Sequence, residues 1–411
     1  MNRIFFLFTA LALNLTVFSQ NKKTESFPFS MPSEKPNFPM SKSMNNAYDE
    51  FGAATPQSNE LYSQFKYSKI EGLDYNNHDG TITRRDPSRI VKANGKYYMW
   101  YTLRNTPVTY QGADAANDTI PSSDWDLSDI GYATSEDGFT WTEQGVAVKR
   151  PAKPHPGWRS ISTPDILVWK GKYYLYYQAF SEISGKRGDD CPVAVSWADS
   201  PDGPWHHVNK VIIPNGPEGS WDQYSIHDPH PIVYKGKIYL YFKSDYTSKD
   251  GTLRSHGLAI GEDPLGPFEK YAKNPVISSG HETQMFRFKE GIAAMMAKDG
   301  HEVNTIQYAP DGINFDVASN CIMVPQAAGV YDPDAFTDVE YAKGITWGIS
   351  HTNIWGPHRR SLLLRFDCDL SLDINDPNMK KNMGSFFSLE EMLKRGLNPK
   401  QKQEILKRMK Q

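Results

Sequence analysis

Lys170-Gly171-Lys172-Tyr173-Tyr174-Leu175-Tyr176-Tyr177 joins a two-residue turn to a run of strand-favouring aromatics. The same unit occurs at Asn94-Gly95-Lys96-Tyr97-Tyr98-Met99-Trp100-Tyr101 and at Lys235-Gly236-Lys237-Ile238-Tyr239-Leu240-Tyr241-Phe242, with weaker copies at Glu290-Gly291-Ile292 and Lys343-Gly344-Ile345. The five glycines are spaced by 76, 65, 55 and 53 residues, in the range of propeller blades. A second element trails the first: Ser135 to Trp141, Ser200 to Trp205, Asp263 to Phe268 and Pro310 to Phe315 each place a tight turn before an aromatic. Such a turn closes the outer hairpin of a blade, so the strands before it (Ile130 to Thr134, Val193 to Ala198, Gly257 to Ile260) fall third. The expected fold is all-β: a five-bladed β-propeller, four strands per blade, with short helical N- and C-terminal extensions.

Outward from the repeat, the chain reads in four parts. Residues 1–20 follow the plan of a signal peptide, with Arg3 before an apolar run and polar residues after it, so a bacterial protein exported to the periplasm or the medium is expected. Residues 21–62, rich in Pro, Ser, Asn and Met, form an N-terminal linker with one short helix near Ser43 to Phe51; the propeller occupies 63–370. A C-terminal helical extension, 371–411, opens its helix at the capping box Ser388-Leu389-Glu390-Glu391 and ends in a basic tail. The 411 residues carry 45 Lys+Arg against 48 Asp+Glu, a net charge of −3 that excludes nucleic acid or an anionic membrane surface as the main partner. After the apolar start no run approaches the roughly 18 residues of a membrane span. Cys191, Cys321 and Cys368 lack metal-ligand spacing and allow at most one disulfide.

Aligned on the innermost strand, Asp86-Pro87, Thr163-Pro164, Asp228-Pro229, Glu282-Thr283 and Asp332-Pro333 fall in register, and in a propeller these positions converge on the central channel. Four of the five are acids. Carboxylates around one pocket are the equipment of acetal hydrolysis, one neutral to protonate the leaving oxygen and another charged to activate water or attack carbon. An Asx turn accounts for Asp332 on structural grounds alone, but Glu282 makes no such turn and keeps the register. His281 adjoins Glu282 and is a second candidate acid. His227, His230, His256 and His351 sit near blade ends without metal-ligand spacing, with turn or surface roles expected for His230 and His256. Gln178 and Lys243 end inner strands where they can bond sugar hydroxyls, and Trp158 offers a stacking face.

From Tyr48 to Phe366 the chain resembles glycoside hydrolase family 117, the exo-acting α-1,3-(3,6-anhydro)-L-galactosidases of agar degradation. The resemblance is carried by Thr83-Arg84-Arg85-Asp86-Pro87-Ser88, Thr163-Pro164-Asp165, Tyr177-Gln178, Val208 to Pro214, His227-Asp228-Pro229, Tyr241-Phe242-Lys243, Ser279-Gly280-His281-Glu282 and Ala309 to Asp316. It implies a five-bladed propeller, an inverting mechanism acting on an oligosaccharide, and a homodimer exchanging N-terminal helical segments. By that resemblance Asp86 is the general base, Asp228 and Glu282 are companion acids, and His281 is the general acid. The more distant family 43 and 32 propellers give the acid role to Glu282, and the choice stays open here. Arg85, Thr163, Asp165, Gln178, Lys243 and His351 are the candidate substrate-binding residues. No cofactor is required, and the channel leaves room for a structural cation. Gly131 stands where the family has Trp, and Asp165 where it has Glu, so an altered pocket wall is expected. An exo-hydrolase of agar-type oligosaccharides, a furanosidase of the related propellers and a non-catalytic sugar-binding propeller are the three functions compatible with this pattern.

Overall fold

The computed structural model describes residues 34–48, 60–73, 79–185, 190–248, 251–278, 280–298, 302–354 and 359–373, with isolated positions at 32, 403, 406 and 407. The expected signal peptide, much of the N-terminal linker and the expected C-terminal capping box lie outside the described residues.

The helix near Ser43 is α1 (Lys42–Asn46), capped by the Ser41 hydroxyl, which accepts from the Met44 N–H. Strand β1 (Lys66–Lys69) follows, and four sheets are then built in chain order. Blade one comprises β2 (Ile82–Arg85), β3 (Val91–Ala93), β4 (Lys96–Asn105), β5 (Ser128–Ser135) and β6 (Trp141–Val148), with β2 and β3 both pairing with β4. Blade two is β7 (Ser160–Trp169), β8 (Lys172–Phe180), β9 (Val193–Ala198) and β10 (His206–Ile213). Blade three is β11 (Ile226–Tyr234), β12 (Lys237–Ser248), β13 (Gly251–Gly261) and β14 (Glu269–Lys270). Blade four is β15 (Gln284–Phe288), β16 (Gly291–Met296), β17 (Thr305–Ala309) and β18 (Asp316–Asn320). Blade five takes β19 (Gly329–Val330), β20 (Gly344–Ile354) and β21 (Arg360–Ser371) from the C-terminal side and completes itself with β1, Lys66 lying opposite Asp367. The first strand thus supplies the outer strand of the last blade and ties the two ends of the propeller together.

Local chemistry explains the repeated hairpins. Lys170 and Gly171 both have positive φ, 49° and 80°, the requirement of a type I′ turn, and Asn94-Gly95 and Lys235-Gly236 repeat it. The aromatic strands after these turns are buried on both faces, and five apolar clusters fill the five seams between neighbouring blades. At the closing seam Trp347 is fully buried and meets Tyr97 edge-to-face at 5.1 Å and 88°. Truncating a side chain of this kind to Ala costs about 3–5 kcal/mol. The three cysteines are buried and none is in a disulfide. Helix α1 rests on the propeller: the Ser41 hydroxyl donates to the Pro275 carbonyl at 2.7 Å, and the Ser278 N–H donates to the Ser43 hydroxyl at 2.8 Å.

Candidate active site

Each innermost strand starts or breaks at a residue in the left-handed region: Asp86 (φ 48°), Thr163 (47°), Asp228 (48°), Glu282 (56°) and Ala327 (41°). Such a conformation costs a non-glycine residue roughly 1–2 kcal/mol. The register of β7 on β8 and of β11 on β12 shifts at these points. The five residues surround an axial space of about 20 Å³, room for about one water. The fifth position corrects the expected register. Asp332 lies beyond β19, where its carboxylate accepts the Arg287 N–H at 2.8 Å and the Asp334 N–H at 3.1 Å. Strand β19 is two residues long and leads into a loop rather than a tight hairpin, so an alignment extended from the other blades overshoots. Three of the five positions carry acids.

Further along the channel Arg89, fully buried, donates to the carbonyls of Pro231 and Met285, each at 2.7 Å, and lies 3.6 Å from Asp165.

On the other side of the five residues the channel opens into a cavity of about 380 Å³, within the range of small-ligand pockets. Asp86, Thr163, Asp228 and Glu282 form its floor, and Gln178, Lys243 and His281 stand beside them. Asp86 Oδ2 accepts from Arg85 Nε at 2.7 Å and from the hydroxyls of Thr102 and Thr163, both at 3.3 Å. Its Oδ1 lies 3.2 Å from Nδ1 of His351, whose Nε2 is 3.5 Å from Glu282 Oε1. Burial opposes charge on both carboxylates, but Arg85 and His351 for Asp86, and His351 for Glu282, outweigh it and hold both well below the usual carboxylate range. Burial likewise opposes charge on His351, and the two carboxylates push it up to about 9, which favours the charged ring at neutral pH, although the Asp86 N–H also points at Nδ1, at 3.2 Å.

A second charge cluster flanks the first. Lys243 Nζ lies 3.3 Å from Asp228 Oδ2 and 3.4 Å from Asp245 Oδ1, and Arg254 Nε donates to Asp245 Oδ1 at 2.9 Å. Burial raises the cost of charge on Asp228, yet Lys243 keeps it below its ordinary value. Burial and Lys243 lower His227 to about 4, so that ring is neutral. A fifth carboxylate, Asp124, accepts from Arg104 at 3.0 Å and Ser361 Oγ at 2.7 Å, with Arg85 at 3.8 Å.

Residues 119–258 match the family model for glycosyl hydrolases family 43. Over 83% of its length, and 100% of the other chain, the protein is 57% identical to Zg3597, a family 117 glycoside hydrolase produced by the marine bacterium Zobellia galactanivorans, with a TM-score of 0.74. The chain belongs to glycoside hydrolase family 117. Another solved structure, described as a glycoside hydrolase, is 11% identical at a TM-score of 0.51. The match covers 76% of this chain and 92% of that one, which extends the fold beyond the family. No curated protein matches the chain.

In this family 117 glycosidase the candidate residues divide. Asp86, Asp228, Glu282, His281, Arg85, Thr163, Gln178 and Lys243 line one cavity. Asp165 lies outside it: Oδ1 accepts the N–H groups of Arg89 at 2.7 Å and Ile166 at 2.9 Å, while Oδ2 faces His230 at 3.3 Å. His351 sits behind the wall, bridging Asp86 and Glu282. Gly131, in β5, is buried in blade one, where an added Cβ would come within 2.8 Å of the Tyr101 ring, so the Trp-to-Gly departure leaves the cavity untouched. Trp158 lines a separate groove beneath Lys153, 3.8 Å from its ring centroid. His230 and His256 are buried, not on turns at the surface.

Tyr110, Ser122, Ser123, Asp124 and Trp125 belong to no repeated motif of the sequence, yet they form one wall. They come from the long connection between β4 and β5, and the Arg85 guanidinium lies 4.9 Å from the Trp125 ring centroid. The signal was present in the 76-residue first glycine spacing, which leaves room for an insertion, and long loops on a rigid scaffold are where sites are built.

Proposed function

We propose that this family 117 glycosidase is an inverting exo-hydrolase that removes a terminal 3,6-anhydro-L-galactose, or a closely related sugar, from agar-type oligosaccharides. It acts as an exported homodimer in this proposal. The observation that carries it is a cavity at one end of the channel, its floor formed by Asp86 and Glu282 on opposite nitrogens of one imidazolium. A pocket that narrows below its acid floor to an axial space of about 20 Å³ suits a chain end rather than a chain interior.

Asp86, ionised and fixed by Arg85 and two hydroxyls, is the base that takes a proton from the attacking water. Asp228, paired with Lys243, accepts substrate hydroxyls, and the buried Gln178 Oε1, which has no partner among the described residues, can do the same. Glu282 is held charged by His351, so it is a poor reservoir for the proton that the leaving oxygen needs. His281 lines the same cavity and supplies that proton in this scheme. Two carboxyl groups about 6.5–9.5 Å apart leave room for water and invert the anomeric centre.

Incubating the purified protein with neoagarobiose and longer neoagaro-oligosaccharides tests the proposal, the product anomer being read by NMR before mutarotation. Release of the non-reducing terminal anhydro-sugar with inversion is expected. No release would remove the substrate, and retention would remove the mechanism. His281→Ala should abolish cleavage of natural linkages and spare glycosides with a strongly acidic phenol as leaving group. Loss on both, with Glu282→Gln spared on the activated substrate, would move the acid role to Glu282.

A further inference from the structure

The five carboxylates that the described residues bring to the cavity are matched by five cations: Arg85, Arg104, Lys243, Arg254 and His351 contact them at the distances given above. Three more cations line the same cavity, Lys298 beside His281 and the consecutive Arg359 and Arg360 at the start of β21. Among the described residues no carboxylate makes an ion pair with Lys298 or Arg359, although Lys298 lies near enough to Glu282 to favour its charge. The Arg359 guanidinium is preorganised: Nη2 donates to the Tyr110 carbonyl at 2.7 Å, and Cζ sits 3.6 Å from the Tyr110 ring centroid. Stacked in this way it keeps further N–H donors in a planar fork that fits the oxygens of a sulfate ester or a carboxylate. The floor acids are buried and the three extra cations only half-buried, so the cavity runs from an acid-lined floor to a basic mouth.

We propose that the enzyme takes an anionic oligosaccharide, with an uncharged terminal sugar on the acid-lined floor and a sulfate ester or carboxylate of the leaving-group sugar held at the mouth by Arg359, Arg360 and Lys298. This rests on the glycosidase function proposed above and specifies its substrate class. The opposed charges also fix direction: a substrate entering anion-first meets Asp86, Asp228 and Glu282, whereas one entering with its uncharged end is drawn in by the mouth.

The test is calorimetric titration of the full-length Asp86→Asn variant, which binds without consuming its ligand. Three galactan tetrasaccharides of one length are compared: one sulfated on the second sugar, its desulfated counterpart and one with a uronate at that position. At low ionic strength at least tenfold tighter binding of an anionic member than of the desulfated one is expected, with the gap narrowing as salt is added. Which anionic member wins identifies the substituent. Adding Arg359→Gln, or Lys298→Gln if the former fails to fold, should remove most of the gap. Equal affinities, or a preference insensitive to both salt and these substitutions, overturn the proposal. Hydrolysis of the same sugars by the unaltered protein is measured in parallel. If none is cleaved, the proposed glycosidase activity falls while the charge preference stands; if neutral sugars are cleaved and bound as well as anionic ones, the reverse holds.

Discussion

Blades one, three and four place an acid at the left-handed residue facing the channel, while blades two and five place Thr163 and Ala327 in the same backbone conformation. The conformational cost is therefore paid five times and used for chemistry three times. Strained backbone often marks a functional site, but here Ala327 bears the strain with no group that can react. The strain belongs to the architecture, since each innermost strand must turn where it passes the axis. What makes the site is which side chains those turns carry, and what charge surrounds them.

Substitution at the acid positions should separate the two contributions most sharply. Asp86→Asn keeps the shape and loses the charge, so turnover of a cleavable oligosaccharide should fall by on the order of 10²–10⁴-fold. The left-handed backbone is equally open to Asn, but Arg85 and His351 lose a buried charged partner, so the melting temperature should fall as well, and turnover is compared at a temperature where the variant is folded. Retained turnover would show that Asp86 is, like Ala327, only part of the frame.

His351→Gln comes next. It removes the imidazolium from between Asp86 and Glu282 and leaves their buried charges without it. Breaking a buried pair in this way costs about 3–5 kcal/mol, read by urea denaturation. The same group sets a pH dependence. Its folded pKa is raised from 6.5 to about 9, so its stabilising contribution is complete below 6.5 and is lost as the pH rises through about 9. Stability should decline across that window in the unaltered protein and lose that decline in His351→Gln. An unchanged profile would mean that the ring is not the charged bridge.

How much of this was legible follows from the range of the interactions involved. Turns such as Lys170-Gly171 and the aromatic strands after them are local, and they predicted the blade count, the third strands and the place of Asp86, Asp228 and Glu282. Pairing of β1 with β21 joins the two ends of the propeller and leaves no local mark. Ala327 is a small residue in an aperiodic stretch, and Asp332-Pro333 nearby copied the motif without its position. His351 was expected among the substrate-binding residues, and its place behind the wall as the bridge between two acids was not legible, because that position depends on three blades meeting. Asp124 and Trp125 reach the cavity only through the fold of a long connection whose sequence has no repeat to compare with.

Thr163 tests the intermediate case, a left-handed residue whose hydroxyl donates to Asp86 without reacting itself. Thr163→Ala keeps the backbone demand and removes one long hydrogen bond, which should cost about 1 kcal/mol in transition-state stabilisation, less than about tenfold in kcat/KM. A loss as large as that of Asp86→Asn would make Thr163 part of the reacting set.

Ala327→Gly isolates the architectural contribution. Glycine relieves roughly 1–2 kcal/mol of left-handed strain and adds roughly 0.5–1 kcal/mol of chain entropy to the unfolded state, so a net gain of about 0–1.5 kcal/mol in unfolding free energy is expected. Catalysis should not change, because Ala327 borders only the small axial space and its N–H, which donates to the Glu282 carbonyl at 3.3 Å, is retained. A fall in turnover at constant stability would mean that the Ala327 methyl group helps to hold the neighbouring Glu282 loop in place. The fifth position would then belong to the active site after all, and the division between acid-bearing and silent blades would have to be redrawn.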